Sequence, residues 1–578
     1  MRAKDGEIWR DERHVKVMFE GRSIFARKGE TVAAALAANG LNVFRHTPEG
    51  APRGQFCGMG VCQDCLVEID GRPNRRACMT KIDGPVTVRR PDPDMPPKLA
   101  GGGPGDAGTG RGSAITPDVL VVGGGAGGLT AAACAAEAGA RVVLVDERPV
   151  PGGQYFKQPL AIPDLPRHIL NDRQFLGGHA LIERARHAGV QFLKGEVWAA
   201  FDPLEIHIHG ARGSRIARPG QLIVATGAYE RGLPVPGWTL PGVMTTGAAQ
   251  TLLRSYRVLA GQRVLVAGNG PLNLQVAAEL VEAGAAVMGV AELAARPSVR
   301  SPVALWRMAA NAPDLALRGF GYLRRLKRAR VPVYYGHVLA RVDEANGALR
   351  AAIRSRNGDE VGLAPSFEVD TVLMGYGFLP SNEILRLMGC AHEYDAARGS
   401  LVTVRDTSCR TTVEGVYGVG DCCGLGGARA AEAEGVLAGL SAAEEAGQLL
   451  SPALVRQRRK AQGSLQRQRR FQSGLWSVFD ADRPGLALAT ARTVVCRCEE
   501  VTLGQIDALI DGGTQSMAEI KRCTRLGMGR CQGRYCVPLL AELLHARFGH
   551  GLDEYALFAP RPPVKPVPLG LVADGDDA

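Results

Sequence analysis

The sequence predicts an α/β protein built on two dinucleotide-binding, Rossmann-like units, with a small cysteine-rich module before them and another after. Two glycine-rich turns each lie between an apolar strand and an Ala-rich helix. Eight of the fourteen cysteines fall into two groups of four, one towards each end. The composition, with 74 Gly among 578 residues and only 5% aromatics, suits tight nucleotide-binding turns better than an aromatic-rich all-β fold. At roughly 150 residues per domain the length allows three to four domains.

In chain order, residues 1–92 form the first cysteine-rich module, opening on a hairpin pattern (HVKVMFEGRSIFARKGE) and a helix (TVAAALAANG). A Pro/Gly linker spans 93–116, where large apolar side chains are almost lacking. The first dinucleotide unit covers 117–255 and, after an interruption, 365–450; the second covers 256–364. A helical connector follows at 451–490, then the second cysteine-rich module at 491–556. The Pro-rich, then acidic tail, 557–578, is expected to be poorly ordered.

The net charge of +11 raises the question of nucleic acid. The basic residues are dispersed, and the two densest runs, 318–330 and 456–470, read as helical without the interleaved aromatics of a base-stacking platform. They are expected to be solvated faces or docking surfaces for an acidic partner, with no nucleic acid bound. No uninterrupted apolar run reaches the roughly 18 residues of a membrane span, and the first residues lack the apolar core of a secretory signal. A cytoplasmic protein is expected, with peripheral contact to the inner membrane face left open. Without export, cysteines are more readily metal ligands than disulfides.

Cys57, Cys62, Cys65 and Cys78 have the spacing C-x4-C-x2-C-x12-C, the plant-type pattern for a [2Fe–2S] cluster. Glycines 54, 58 and 60 let the loop turn its N–H groups towards the sulfurs. Zinc would favour paired C-x2-C knuckles, and this segment has one.

In VLVVGGGAGG, Gly123 makes the tight turn, Gly125 lets a pyrophosphate approach the backbone, and Gly128 lets helix and strand pack closely. Asp146 ends the next strand, 18 residues past Gly128, where an acid takes ribose hydroxyls; Glu147 is the fallback. Gly153 and Gln154 follow in PGGQ, Thr226 and Gly227 in LIVATGAYE, and Gly420 and Asp421 end another strand in GVYGVGDCCG. The second unit has Gly268 and Gly270, but Asn273 occupies the third glycine position, so its helix is expected to be crowded against the strand and nicotinamide binding there stays in doubt. Glu292 is its candidate ribose acid.

Cys496, Cys498, Cys531 and Cys536 (C-x-C-x32-C-x4-C) form the second group, again suited to [2Fe–2S] ligation, with zinc as the alternative. Cys523 is read as a bystander. Cys134, Cys390, Cys409 and the adjacent Cys422 and Cys423 are read as packing residues, a vicinal redox pair being the alternative for the last two.

On these motifs, residues 57–78 resemble a β-grasp [2Fe–2S] ferredoxin domain, and KRCTRLGMG with its cysteines resembles bacterioferritin-associated-ferredoxin-like domains. Residues 117–445 resemble the two-dinucleotide-domain flavoproteins related to glutathione and thioredoxin reductases. That resemblance implies FAD in the first unit, with Asp421 on its ribityl chain, and a retained NAD-type domain in the second. From about 13 to 556 the chain resembles the alpha subunit of heteromeric bacterial amine dehydrogenases: opine oxidase, hydroxyproline or proline dehydrogenase, and hydrogen cyanide synthase. The resemblance implies an electron-transfer oxidoreductase subunit. Its partner would be a flavoprotein beta subunit of the D-amino-acid-oxidase type, which oxidises an amino acid, opine or other secondary amine, and electrons would leave to a quinone or other respiratory acceptor. Some relatives place FMN at the subunit interface and hold only an ADP-like nucleotide or NAD in the first site. No residue stands out as a catalytic base. The competing readings are a self-sufficient NAD(P)H-dependent flavin and iron–sulfur reductase, and a non-catalytic iron–sulfur assembly or docking protein.

Overall fold

The computed structural model describes residues 1–3, 14–91, 114–148, 150–160, 172–210, 213–297, 302–345, 347–356 and 365–568. Most of the linker and the end of the tail therefore lie outside the described residues. No helix among those described is long and apolar enough to cross a membrane.

The first module is a mixed sheet around one helix. Strands β1 (His14–Phe19) and β2 (Arg22–Arg27) form the hairpin expected from their alternating apolar residues. Helix α1 (Val32–Ala38) is capped by Thr31, whose side chain accepts from the Ala34 amide. Strands β3 (Leu66–Ile69), β4 (Arg72–Arg76) and β5 (Val86–Arg89) complete the order β2-β1-β5-β3-β4, with β1 and β5 parallel.

The first dinucleotide unit opens with β6 (Val119–Val122), α2 (Ala126–Glu137) and β7 (Val142–Asp146). Helix α3 (Arg173–His187), β8 (Gln191–Lys194) and β9 (Gln221–Val224) follow. The second unit repeats the plan with β10 (Val243–Thr245), α4 (Thr246–Tyr256), β11 (Arg263–Gly268), α5 (Pro271–Glu282) and β12 (Ala286–Glu292). Two further helices, α6 (Pro302–Asn311) and α7 (Pro313–Arg328), precede β13 (Val333–Tyr335) and β14 (Thr371–Gly375). The chain then returns to the first unit through β15 (Val416–Gly418). The two parallel sheets run β8-β7-β6-β9-β15 and β10-β14-β11-β12-β13. Their strands are almost wholly apolar because helices cover both faces.

Helix α8 (Ala428–Glu445) lies directly on α2. A Cβ on Gly435 would come within 2.4 Å of the Gly127 carbonyl, and one on Gly439 within 2.3 Å of the Ala131 carbonyl, so this glycine pair sets the close approach of the two backbones. Both dense basic runs are helical as expected, in α7 and in α9 (Pro452–Val478). The C-terminal module holds α10 (Leu503–Asp511), α11 (Met517–Thr524) and α12 (Cys536–Phe548) behind a two-stranded ribbon.

This last module is clamped to the others. Trp238 Nε1 donates to the Val494 carbonyl (2.7 Å), Thr47 Oγ1 to Glu500 (2.7 Å), and Tyr229 Oη to the Arg534 carbonyl (3.2 Å). The tail departs from the expectation of disorder: up to residue 568 it packs on the first dinucleotide unit. The Val564 amide donates to the Trp198 carbonyl (2.8 Å), and Lys565 pairs with Glu147 at 2.5 Å. A buried apolar residue and a countercharge outweigh the Pro-rich composition there.

Candidate functional site

In the first module all four cysteines are buried, and their thiols meet two by two: Cys57 with Cys62, and Cys65 with Cys78. Burial alone would raise the Cys57 thiol, but the Cys62 thiol and the amides of Cys62, Met59 and Val61 turn towards its sulfur and bring it down to about 6. The C-terminal four behave alike, pairing Cys496 with Cys536 and Cys498 with Cys531. The Cys536 thiol and the amides of Gly527, Glu499 and Cys498 hold Cys496 at about 6. Among the described residues no three or more His, Cys, Asp or Glu converge on a point that one metal ion could occupy. Two pairs of thiols per module suit two irons better than one tetrahedral zinc. Cys523 is exposed and outside these pairs.

Nine of the ten nucleotide-site residues picked from sequence line one cavity of about 880 Å³: Gly123, Gly125, Asp146, Gly153, Gln154, Thr226, Gly227, Gly420 and Asp421. Gly128 lies behind the cavity wall, where a Cβ would meet the Gly123 carbonyl oxygen at 1.8 Å. Gly125 caps α2, so the helix turns its free amides to the cavity. Asp146 accepts from the Arg148 amide (2.6 Å) and the Gly124 amide, and burial pushes its carboxyl up. Asp421 accepts from the Gly426 and Gly427 amides at 2.9 Å each, which aims the start of α8 at the same space. Behind it, Arg405 donates to Glu434 (3.0 Å) and to the Gly418 carbonyl (2.8 Å), while Glu434 accepts from Gly420 (2.8 Å). A long groove with two helix N-termini and two acids fits a dinucleotide such as FAD. Glu147 is committed elsewhere: although burial opposes it, Lys565 and Arg76 draw its carboxyl down to about 2.

Several residues on this cavity were missed in the sequence. Lys157 is buried, donates to the Gln154 carbonyl (2.6 Å) and Gln250 (2.8 Å), and is lowered to about 7 by burial. Glu230, raised to about 7 by burial, accepts from the Gly247 amide at 2.7 Å. Both sit directly beside motifs that were read, QYFKQ after PGGQ and the Glu ending ATGAYE, which is the signal that could have found them. Met59, Gly60, Val61 and Gln63 of the first cysteine loop also line the cavity, as do Arg530 and Arg534 beside Cys531. The cavity thus shares walls with both cysteine loops.

The second unit corrects one expectation. Asn273 does not crowd helix against strand: its Nδ2 donates to the Gly375 carbonyl (2.9 Å) and its Oδ1 accepts from Thr246 (2.9 Å). Gly375 makes the room, since a Cβ there would lie 2.2 Å from Asn273 Oδ1. Glu292 is fully buried and accepts from the Gly270 (3.1 Å) and Ala294 (3.0 Å) amides, turned in on the glycine loop. Burial raises its carboxyl to about 8. Between about pH 4.5 and 8 the folded chain therefore keeps a proton that the unfolded chain loses, and stability falls as pH rises through that window. In Glu292→Gln that loss is expected to vanish, so the variant's advantage over the parent grows with pH by at most about 1.4 kcal/mol per unit and levels off above 8. Thermal unfolding across a pH series checks it.

Cys422 and Cys423 are buried, with Sγ atoms 3.7 Å apart, and Cys422 donates to the Val419 carbonyl (3.2 Å). They fill the core beneath β9 and β15, as do Cys134, Cys390 and Cys409 in their own clusters.

Residues 117–435 match the family model for pyridine nucleotide-disulphide oxidoreductases, 12–93 that for a 2Fe-2S iron-sulfur cluster binding domain, and 494–546 that for a BFD-like [2Fe-2S] binding domain. The chain belongs to the pyridine nucleotide-disulphide oxidoreductase family: it is an oxidoreductase that carries FAD and two [2Fe–2S] clusters. It is 31% identical to one subunit of the opine oxidase of Rhizobium meliloti over 463 residues, covering 79% of this chain and 98% of that one. With the HcnB subunit of the hydrogen cyanide synthase of Pseudomonas aeruginosa it shares 31% identity over 78% of this chain and 97% of the other. The crystal structure of L-proline dehydrogenase from P. horikoshii has the same fold (TM-score 0.69, 20% identity, 97% of this chain and 98% of that one).

Proposed function

We propose that this chain is the electron-transfer subunit of a heteromeric flavin and iron–sulfur dehydrogenase. A partner subunit of the D-amino-acid-oxidase type oxidises an amino acid, opine or related secondary amine, and the electrons leave to a quinone or other respiratory acceptor. Cys57, Cys62, Cys65 and Cys78 would hold one cluster and Cys496, Cys498, Cys531 and Cys536 the other. FAD would lie along Gly123, Gly125, Asp146, Gly153, Gln154, Thr226, Gly227, Gly420 and Asp421. When bound, FAD supplies two-electron acceptance with one-electron release, and each cluster supplies one-electron carriage. The observation that carries the reading is the shared cavity: its wall includes Met59–Val61 of one cysteine loop and Arg530 and Arg534 of the other. Lys157 and Glu230 hold charge and protons on that wall, the lysine lowered and the glutamate raised towards neutrality, where either can exchange a proton. The NAD(P)H-dependent alternative draws less support, because Glu292 is buried away from any incoming ribose.

The wall of the cavity formed by α6 and α7 supports the heteromeric reading. Leu305, Leu315 and Phe320 of α6 and α7 line the cavity, and the same helices present Val303, Trp306 and Leu317 at 63%, 71% and 70% exposure. Large apolar residues so exposed mark an interaction surface. Purification from the native source, with partner chains and released nucleotides identified by mass spectrometry, tests the proposal. A flavin-bearing oxidase-like partner is expected; a lone chain whose flavin is bleached by NADH would sink it. In the double variant Trp306→Asp with Leu317→Asp, flavin and iron content should stay at parental levels while affinity for the partner drops by about 2 kcal/mol or more, roughly thirty-fold.

A further inference from the structure

We infer that Arg497 is a positioning residue shared by the two iron–sulfur centres, fixing them against each other and holding up the reduction potential of both. The inference rests on the ligand assignment proposed above. Arg497 stands between Cys496 and Cys498 in the chain, yet its guanidinium is spent on the other module. Its Nε donates to Asp64 Oδ2 at 2.7 Å, and its side chain and that of Asp64 are 4% and 1% exposed. Asp64 immediately precedes Cys65. The same guanidinium donates to the Trp238 carbonyl (2.9 Å) and lies 3.9 Å from the ring centre of Phe56, the residue before Cys57, and 4.5 Å from that of Trp238. Phe56 in turn meets Tyr535, the residue before Cys536, edge to face at 5.6 Å. The contacts Arg497–Asp64, Arg497–Phe56 and Phe56–Tyr535 thus each tie a neighbour of one ligand set to a neighbour of the other, with Trp238 packed beside them.

A buried ion pair is poor value for stability alone, since well-packed apolar side chains serve as well or better. Its electrostatic effect here is specific. A [2Fe–2S] centre on four thiolates is anionic when oxidised and gains one more negative charge on reduction. A buried cation beside both centres stabilises the reduced forms and raises both potentials; Asp64 opposes this, most strongly at Cys65. The other charges facing this interface include Arg45, which donates to the Asp64 carbonyl (3.0 Å) and to its Oδ1 (3.4 Å), the Arg53–Glu500 pair, Glu499, Arg530, and the Arg534–Glu383 pair (2.7 Å). Arg497 is the cation that stands in the chain between Cys496 and Cys498 while its guanidinium is hydrogen-bonded to Asp64 and stacked on Phe56 of the other loop.

The test is an EPR-monitored redox titration of the full-length holoprotein, with dithionite as reductant. Arg497→Met is expected to shift both midpoint potentials downward, and Arg497→Lys, which keeps the charge, to restore most of the shift. Asp64→Asn is expected to shift the potential of the first cluster upward. Unchanged potentials in Arg497→Met with both clusters retained would overturn the inference, as would a shift confined to the C-terminal cluster. Should Arg497→Met lose a cluster or fail to fold, Asp64→Asn decides, and no upward shift there overturns it. A parent chain with no reduced-cluster signal and no iron would instead refute the ligand assignment.

Discussion

Replacing Gly128 with valine is expected to yield a chain without bound FAD. The cause lies behind the nucleotide rather than on it. A Cβ at this position would sit 1.8 Å from the Gly123 carbonyl oxygen and 3.2 Å from Ala225 Cβ. Gly123 cannot yield, because its own Cβ position lies 2.3 Å from the Ala225 carbonyl and it directly follows β6, the central strand of its sheet. Helix α2 must therefore lift away from the strand, carrying off the Gly125 amide and the helix N-terminus that would receive the phosphates. The cost exceeds the roughly 1–3 kcal/mol of an ordinary overpacked core position, because backbone is the obstacle. Gly125→Ala is the internal contrast: its Cβ meets only Gly153, at 4.0 Å, so helix and strand keep their packing, and flavin is lost there only as far as the Cβ stands in the pyrophosphate's path, a smaller loss than in Gly128→Val. The ratio of flavin absorbance to protein reads the difference. Iron content should hold in both variants, since the cysteines belong to other modules; stoichiometric FAD in Gly128→Val would refute the steric argument.

That contrast also marks what the sequence could reveal. The glycine motifs, their acids and the cysteine spacings are local patterns, each dictated by one turn or one ligand loop, so Gly123, Asp146, Asp421 and both thiol sets were legible from short windows. The remainder depends on contacts between distant segments. The room for Asn273 comes from Gly375, 102 residues away in the chain. The commitment of Glu147 to Lys565 spans 418 residues, and no pattern near either residue announces it. Composition misled at the tail because Pro-rich segments are read as unable to bury apolar surface, whereas one residue, Val564, finds a ready-made site against Trp198 and Arg534. Most consequentially, chain order separates the two cysteine modules by more than four hundred residues, as the 433-residue gap between Asp64 and Arg497 illustrates, and hides that they meet.

Their meeting decides how the proposed relay is wired, and Cys62→Ser distinguishes the possibilities. Cys62 pairs with Cys57 at the base of the loop whose residues Met59, Gly60 and Val61 form part of the cavity wall. A serine in its place offers a harder oxygen to iron and removes one of the two thiols of that pair, so the first cluster is expected to be lost and the iron content to fall to about half. The flavin should stay, because the glycine turns, Asp146 and Asp421 proposed to hold it belong to the first dinucleotide unit and not to this loop. In the native complex, reduction of the flavin by the amine substrate should then proceed at the parental rate while delivery to an external acceptor collapses, provided the first cluster is the obligatory next station. The alternative is physical too: Arg530 and Arg534 bring the Cys531 loop to the same cavity, which would give the second cluster its own access. If delivery in Cys62→Ser survives at more than a small fraction of the parent, the clusters are fed in parallel. The matching variant Cys531→Ser should then retain activity as well, and only the pair of substitutions together would stop it. In a series arrangement either substitution alone is sufficient, because the walls that hold Phe56 against Tyr535 and Arg497 would be the sole route between the modules.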